Sequence, residues 1–94
     1  MRIGIVGGAE RLADRLSTVA SAAGHQLEFH DGHMRGTATD RLRALIERSD
    51  VVVIVTEINS HGAVQQARSL ASRAHRPVHL VRRFGTSQLR ALAA

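Results

Sequence analysis

The sequence predicts an α/β domain: a four-stranded parallel sheet in the order 2-1-3-4, a Rossmann- or flavodoxin-like half with helices on both faces. Three observations predict it. Val51-Val52-Val53-Ile54-Val55 is a run of five β-branched apolar residues between Ser49-Asp50 and Thr56-Glu57, the signature of a strand buried on both faces. Apolar runs with strand character alternate with segments of helical spacing from end to end. The first of those runs stops at Gly7-Gly8, where a parallel sheet usually turns from strand into helix.

The elements follow in order. Met1 to Val6 alternates and forms the first strand; Leu12, Leu16, Val19, Ala20 and Ala23 mark a helix that Gly24 ends with a left-handed cap. His25 to His30 alternates again, an edge strand with Leu27 and Phe29 on one side, followed by the loop Asp31 to Gly36. Thr37 is expected to cap the next helix with Asp40 at its third position, and Ala38, Leu42, Leu45 and Ile46 form its stripe. After the central strand, Ser60 opens a helix to about Ala74 whose inner face is mostly alanine. Pro77 blocks further helix, Val78 to Val81 is the fourth strand, and Thr86 is expected to cap a last helix carrying Leu89 and Leu92.

Residues 1–94 make one domain, and a chain this short buries only about two-thirds of its unfolded surface, so its core is thin. No cysteine occurs, which removes thiolate metal sites and cysteine nucleophiles. No apolar run approaches the roughly 18 residues of a membrane span, and no secretory signal is recognisable, so a cytoplasmic protein is expected. All 13 basic residues are arginine, against 8 acids, so no amine exists for Schiff-base or P-loop chemistry. The arginines are spread over helix faces and only two aromatic residues are present, which argues against nucleic acid. A receiver domain is also excluded, because its acidic pair, its phosphorylatable aspartate and its lysine are replaced by Gly7-Gly8, Thr56 and nothing. Thr56, Ser60 and Ser87 accompany His61, but no G-x-S-x-G elbow supports nucleophilic catalysis, and the protein is expected not to be an enzyme.

The strand order opens a crevice beside Gly7-Gly8 and Thr56 to His61. His30, His33 and His61 lie at that carboxyl edge; His25 and His79 belong elsewhere on their strands and His75 to a helix end. Zinc would draw on His30, Asp31, His33 and His61, with no recognised spacing among them. A larger ligand suits the neighbourhood better. Phe29, Met34, Ile58 and Phe84 stand near Arg35, Arg82 and Arg83, and an imidazole, an apolar wall and guanidinium groups are what haem requires. Haem-binding is therefore the leading expectation: His61, His30 or His33 as axial ligand, and Gly7, Gly8, Asp31, Met34, Arg35, Thr56, Asn59, Ser60, Arg82, Arg83 and Phe84 as contacts. One thin domain cannot enclose a porphyrin, so a homodimer or larger assembly with the ligand at the subunit interface is expected, and an open iron position would bind a diatomic gas such as oxygen. The alternative is a small-anion or nucleotide-binding domain using Gly7-Gly8 and helix N-termini. A third reading is a plain assembly module.

Gly7-Gly8 after an N-terminal strand, His30-Asp31-Gly32 after the second, Ser49-Asp50-Val51-Val52-Val53, Thr56 through Ser60-His61, and Pro77 before the closing strand together resemble the bacterial family called domain of unknown function 2325. The resemblance implies a Rossmann-like fold with His30, Asp31 and His61 as functional positions, and a role in binding haem and responding to oxygen. Family members often carry a further histidine just before the His-Asp-Gly turn; here Phe29 stands there, leaving His33 as its substitute.

Overall fold

The computed structural model describes residues 1–93. Its strands are β1 (Arg2–Val6), β2 (Gln26–His30), β3 (Val51–Val55) and β4 (Val78–Val81), and its helices are α1 (Ala13–Ala22), α2 (Ala38–Arg48), α3 (His61–Arg73) and α4 (Thr86–Ala93). All strand pairs are parallel, in the order β2-β1-β3-β4, as the sequence predicts.

Every residue of β3 is buried. Because side chains alternate across a strand, Val51, Val53 and Val55 enter a core with Ile3, Ile5, Leu16, Ala20, Phe84 and Leu89, under α1 and α4. Val52 and Ile54 enter a second core with Val6, Leu42, Leu45, Ile46, Ala63, Ala67 and Ala71, under α2 and α3. The three alanines recur every four residues and have no exposed surface, so α3 lies against the sheet with only methyl groups between. Each fully buried Val or Ile contributes about 1.5–3 kcal/mol, and β3 is the strand whose every residue contributes to one layer or the other.

The chain is also tied at the strand starts. The Arg2 N–H donates to Asp50 Oδ2 at 2.7 Å and the Ser49 hydroxyl donates to the Leu45 carbonyl at 2.6 Å, which fixes where α2 ends and β3 begins. Gly24 has φ +82 and follows α1 as the expected left-handed cap. Ser60 is the side-chain cap of α3, its Oγ accepting from the Ala63 N–H at 3.1 Å. Thr37 and Thr86 differ from expectation. Thr37 precedes α2 at φ −84, ψ 12 with no side-chain cap bond, a backbone too helical to turn its hydroxyl onto the free N–H groups. Thr86 is itself the first residue of α4, and the Gln88 side chain reaches back instead, its Oε1 accepting from the Gly85 N–H at 3.0 Å. Helix α1 begins later than the glycine turn suggests, because a short 3₁₀ turn, Glu10–Leu12, intervenes.

The β2 edge is held by a charged clamp. Arg48 donates to both carboxylate oxygens of Glu28, from Nε at 3.0 Å and from Nη2 at 2.6 Å. That bidentate contact holds the Glu28 carboxyl below its ordinary value of 4.5. The folded value lies below the unfolded one, so the pair stabilises above about pH 4.5 and that contribution disappears as pH falls through the lowered value. Both side chains are well hydrated, and the effect is small. Glu28→Gln is expected to unfold slightly earlier than wild type at about pH 7, with the gap narrowing as pH falls below about 4.5; parallel urea titrations across that range check this.

Candidate functional site at the carboxyl edge

Four loops meet where the strands end, and one side chain joins three of them. Asn59 donates from Nδ2 to the Val55 carbonyl at 2.8 Å and to the Val6 carbonyl at 3.2 Å, while its Oδ1 accepts from the Ser60 N–H at 2.8 Å. Gly7 and Gly32, at φ +89 and +85, pack on either side of it, and a Cβ at either position would overlap the Asn59 amide. Backbone bonds close the rest: the Gly7 N–H donates to the His30 carbonyl at 2.8 Å and the Gly8 N–H to the Ile58 carbonyl at 3.0 Å. The crevice expected between β1 and β3 is thus occupied by the protein itself. The two glycine N–H groups that an anion would use are both spent internally.

Ser60 extends the network. Its hydroxyl donates to the Gly32 carbonyl at 2.6 Å while accepting from Ala63, so the β2–α2 loop is bonded to the start of α3. His33 and His61 each lie one residue from that bond. Both are exposed, and neither ring makes a hydrogen bond among the described residues.

His30 is placed very differently. It is 6% exposed, its Nδ1 accepts from the Gly32 N–H at 3.0 Å, and its Nε2 lies 3.1 Å from the Ala38 carbonyl. An accepting Nδ1 carries no proton, so Nε2–H is the donor and the ring is the neutral tautomer. Asp31 Oδ1 at 3.9 Å from Nδ1 is accordingly no ion pair. Its partner is the His33 N–H at 2.9 Å, which holds the Asp31 carboxyl below its ordinary value. With both ring nitrogens engaged, His30 reaches a metal only by breaking a buried bond.

Ile58 is the least ordinary residue of the edge. It has φ +52, a conformation that a β-branched side chain adopts at a cost of about 1–3 kcal/mol, and it is 63% exposed. The Gly8-to-Ile58 bond and the adjacent Asn59 clasp hold it there. Thr56 is exposed beside it, and its N–H donates to the Val81 carbonyl. Arg35 and Arg82 are exposed and unpaired among the described residues, whereas Arg83 is bonded to Glu57. Met34 is half-buried against the α2–α3 core and Phe84 belongs to the opposite core, so neither stands free on the rim.

A cavity of about 520 Å³ flanks β2, within the roughly 300–1,000 Å³ of small-ligand sites. Gly7, Gly8, His30, Asp31 and Phe84 line it, together with Glu10, Phe29, Arg41 and Arg48. His33, His61, Asn59, Ser60, Thr56, Met34, Arg35, Arg82 and Arg83 do not. The sequence-named residues therefore divide between this cavity, the Asn59–Ser60 network with half-buried Met34, and exposed positions. Arg41 and Arg48 were not among them, since as charges on a helix face they carry no pattern beyond solvation.

No group of three or more His, Cys, Asp or Glu able to hold a metal ion lies among the described residues. None of their helices is long and apolar enough to cross a membrane. No curated protein matches the chain. The model of the family described as "Uncharacterized protein conserved in bacteria (DUF2325)" matches residues 2–93, and the chain belongs to that family.

Proposed function

We propose that the carboxyl edge binds haem, without enzymatic turnover, and that His61 is the axial ligand. The observation that supports this reading is the Ser60-to-Gly32 bond, which holds two exposed, unengaged imidazoles, His61 and His33, on adjoining backbone. A bare cation needs three or four side-chain ligands, but a porphyrin brings four of its own and asks the protein for one or two. The other residues suit the group. Ile58 offers an exposed apolar surface, held out by its backbone, and Arg35 and Arg82 are guanidinium groups with no partner among the described residues to give up for the propionates. Bound to one imidazole, haem iron supplies an open position for a diatomic gas. His30 then serves the fold, not the iron.

The test is an absorption spectrum with haemin and then dithionite. Wild type is expected to give a sharp Soret band that moves on reduction, at a fixed haem-to-chain ratio, and His61→Ala to lose it while keeping its circular dichroism. A flat or broad trace from wild type, or a band that His61→Ala leaves unchanged, overturns the reading. The cavity beside β2 favours a second one, a small anionic ligand held by Arg41, since the volume is right even though the glycine N–H groups are spent. That ligand is expected to raise the melting temperature of wild type and of His61→Ala alike.

A further inference from the structure

We propose that β4 is the edge at which a second copy of this chain pairs, strand against antiparallel strand, in a register centred on His79. Strand β4 is bonded on one side only, with Val52, Val53, Ile54 and Val55 opposite Val78, His79, Leu80 and Val81. The Val52 and Thr56 N–H groups donate to the Pro77 and Val81 carbonyls. By alternation, odd-numbered residues turn their backbone polar groups toward β3, and Val78 and Leu80 turn theirs outward. What completes such an edge is another strand.

The two edges of the sheet differ in how they resist that. Strand β2 carries the polar Gln26 and Glu28, the latter clamped by Arg48 of α2, and an ion pair of this kind hinders edge pairing. Strand β4 reads Val-His-Leu-Val, with no ionised carboxylate or guanidinium, no proline inside it and no bulge in its register. Val78 and Leu80 are 38% and 50% exposed, both on the α3 face beside Val52 and Ile54. Strand β4 therefore presents apolar side chains along with unpaired backbone groups.

A second copy fits because the edge is self-complementary. A two-fold axis normal to the sheet keeps each face on its own side, so only residues of like parity stand opposite one another. Centred on His79, the axis sets Val78 against Leu80 of the second copy and Leu80 against its Val78. These are hydrogen-bonded pairs, and the exposed apolar groups cover each other. Centring on Leu80 would instead set Val78 against Arg82. At its ends the His79 register brings Arg76 toward Arg82 of the second copy, but Arg76 is drawn aside, its Nη2 donating to the Glu47 carbonyl at 2.9 Å. The product is one continuous sheet of twice the four strands, with the two carboxyl edges at opposite ends. Assembly through β4 is thus independent of haem.

The chain has no cysteine, so single-cysteine variants report the register directly. His79 opposes itself in a non-hydrogen-bonded pair, where Cα atoms lie about 4.5 Å apart, within disulfide reach. Sedimentation of haem-free wild type is expected to give twice the chain mass, and Leu80→Arg to weaken association at least about tenfold with unchanged circular dichroism. On oxidation His79→Cys is expected to become a covalent dimer and Leu80→Cys to remain largely uncrosslinked. A wild-type monomer, a dimer indifferent to Leu80→Arg, or crosslinking at residue 80 in preference to 79 overturns the proposal.

Discussion

Asn59→Ala is expected to lower the stability of the haem-free protein by about 3 kcal/mol, a fall of roughly 12–24 °C in melting temperature for a domain of this size. The substitution leaves the carbonyls of Val6 and Val55 without a donor and removes the acceptor of the Ser60 N–H. Each buried group left unpaired costs about 1–3 kcal/mol. It also opens the space between Gly7 and Gly32 that the amide fills. Asn59→Asp separates hydrogen bonding from packing. The carboxylate matches the amide in shape and still accepts from Ser60, yet faces two carbonyls with an oxygen in place of a donor. Thermal unfolding should therefore rank wild type above alanine and place aspartate no higher than alanine. An aspartate variant as stable as wild type would show that Nδ2 is not the atom that matters.

His30→Ala is expected to cost about 3 kcal/mol as well, whether or not haem is present. Two ring hydrogen bonds are lost, to Ala38 and from Gly32, and a buried ring leaves a void at the end of β2. The contrast with His61→Ala carries the meaning. His61 is exposed and forms no side-chain bond among the described residues, so its removal should change stability by no more than about 0.5 kcal/mol. Urea unfolding of the two variants without haem gives the comparison. If His30→Ala proves as stable as wild type while haem binding is lost, the buried imidazole is the ligand and the assignment to His61 fails.

These two residues also show how far the sequence could be read. The sheet was legible because β3 is apolar at every position, and only a strand covered on both faces explains that run. The strand order followed from alternation and short connections. The glycine pair and the His-Asp-Gly turn marked the loops that lie at the carboxyl edge of the sheet. The interior of that edge was not legible. An asparagine in a loop has the same letter whether it caps water or clasps two strand ends, and what makes Asn59 a clasp is the approach of Gly7 and Gly32, far apart in sequence. His30 and His61 are likewise both histidines at the carboxyl edge, yet one, the last residue of β2, is bonded under α2 and the other is exposed. Parity along β2 puts His30 on the α2 face, a signal present in the alternation of Leu27 and Phe29. Nothing local announces the left-handed backbone of Ile58.

The double burial of β3 bears on how the chain reaches its native state. The five residues of β3 are divided between the cores, Val51, Val53 and Val55 in one and Val52 and Ile54 in the other, and neither core can close before that strand arrives. The segment from β1 through α2 therefore has no stable resting form: Leu42, Leu45 and Ile46 wait for Val52 and Ile54, and Ile5 and Leu16 wait for Val53. Neither layer is complete even with β3 in place, because Ala63, Ala67 and Ala71 belong to one core and Phe84 and Leu89 to the other. A protein with a separate core for each half could lose one and keep the other. Here the layers stand or fall together.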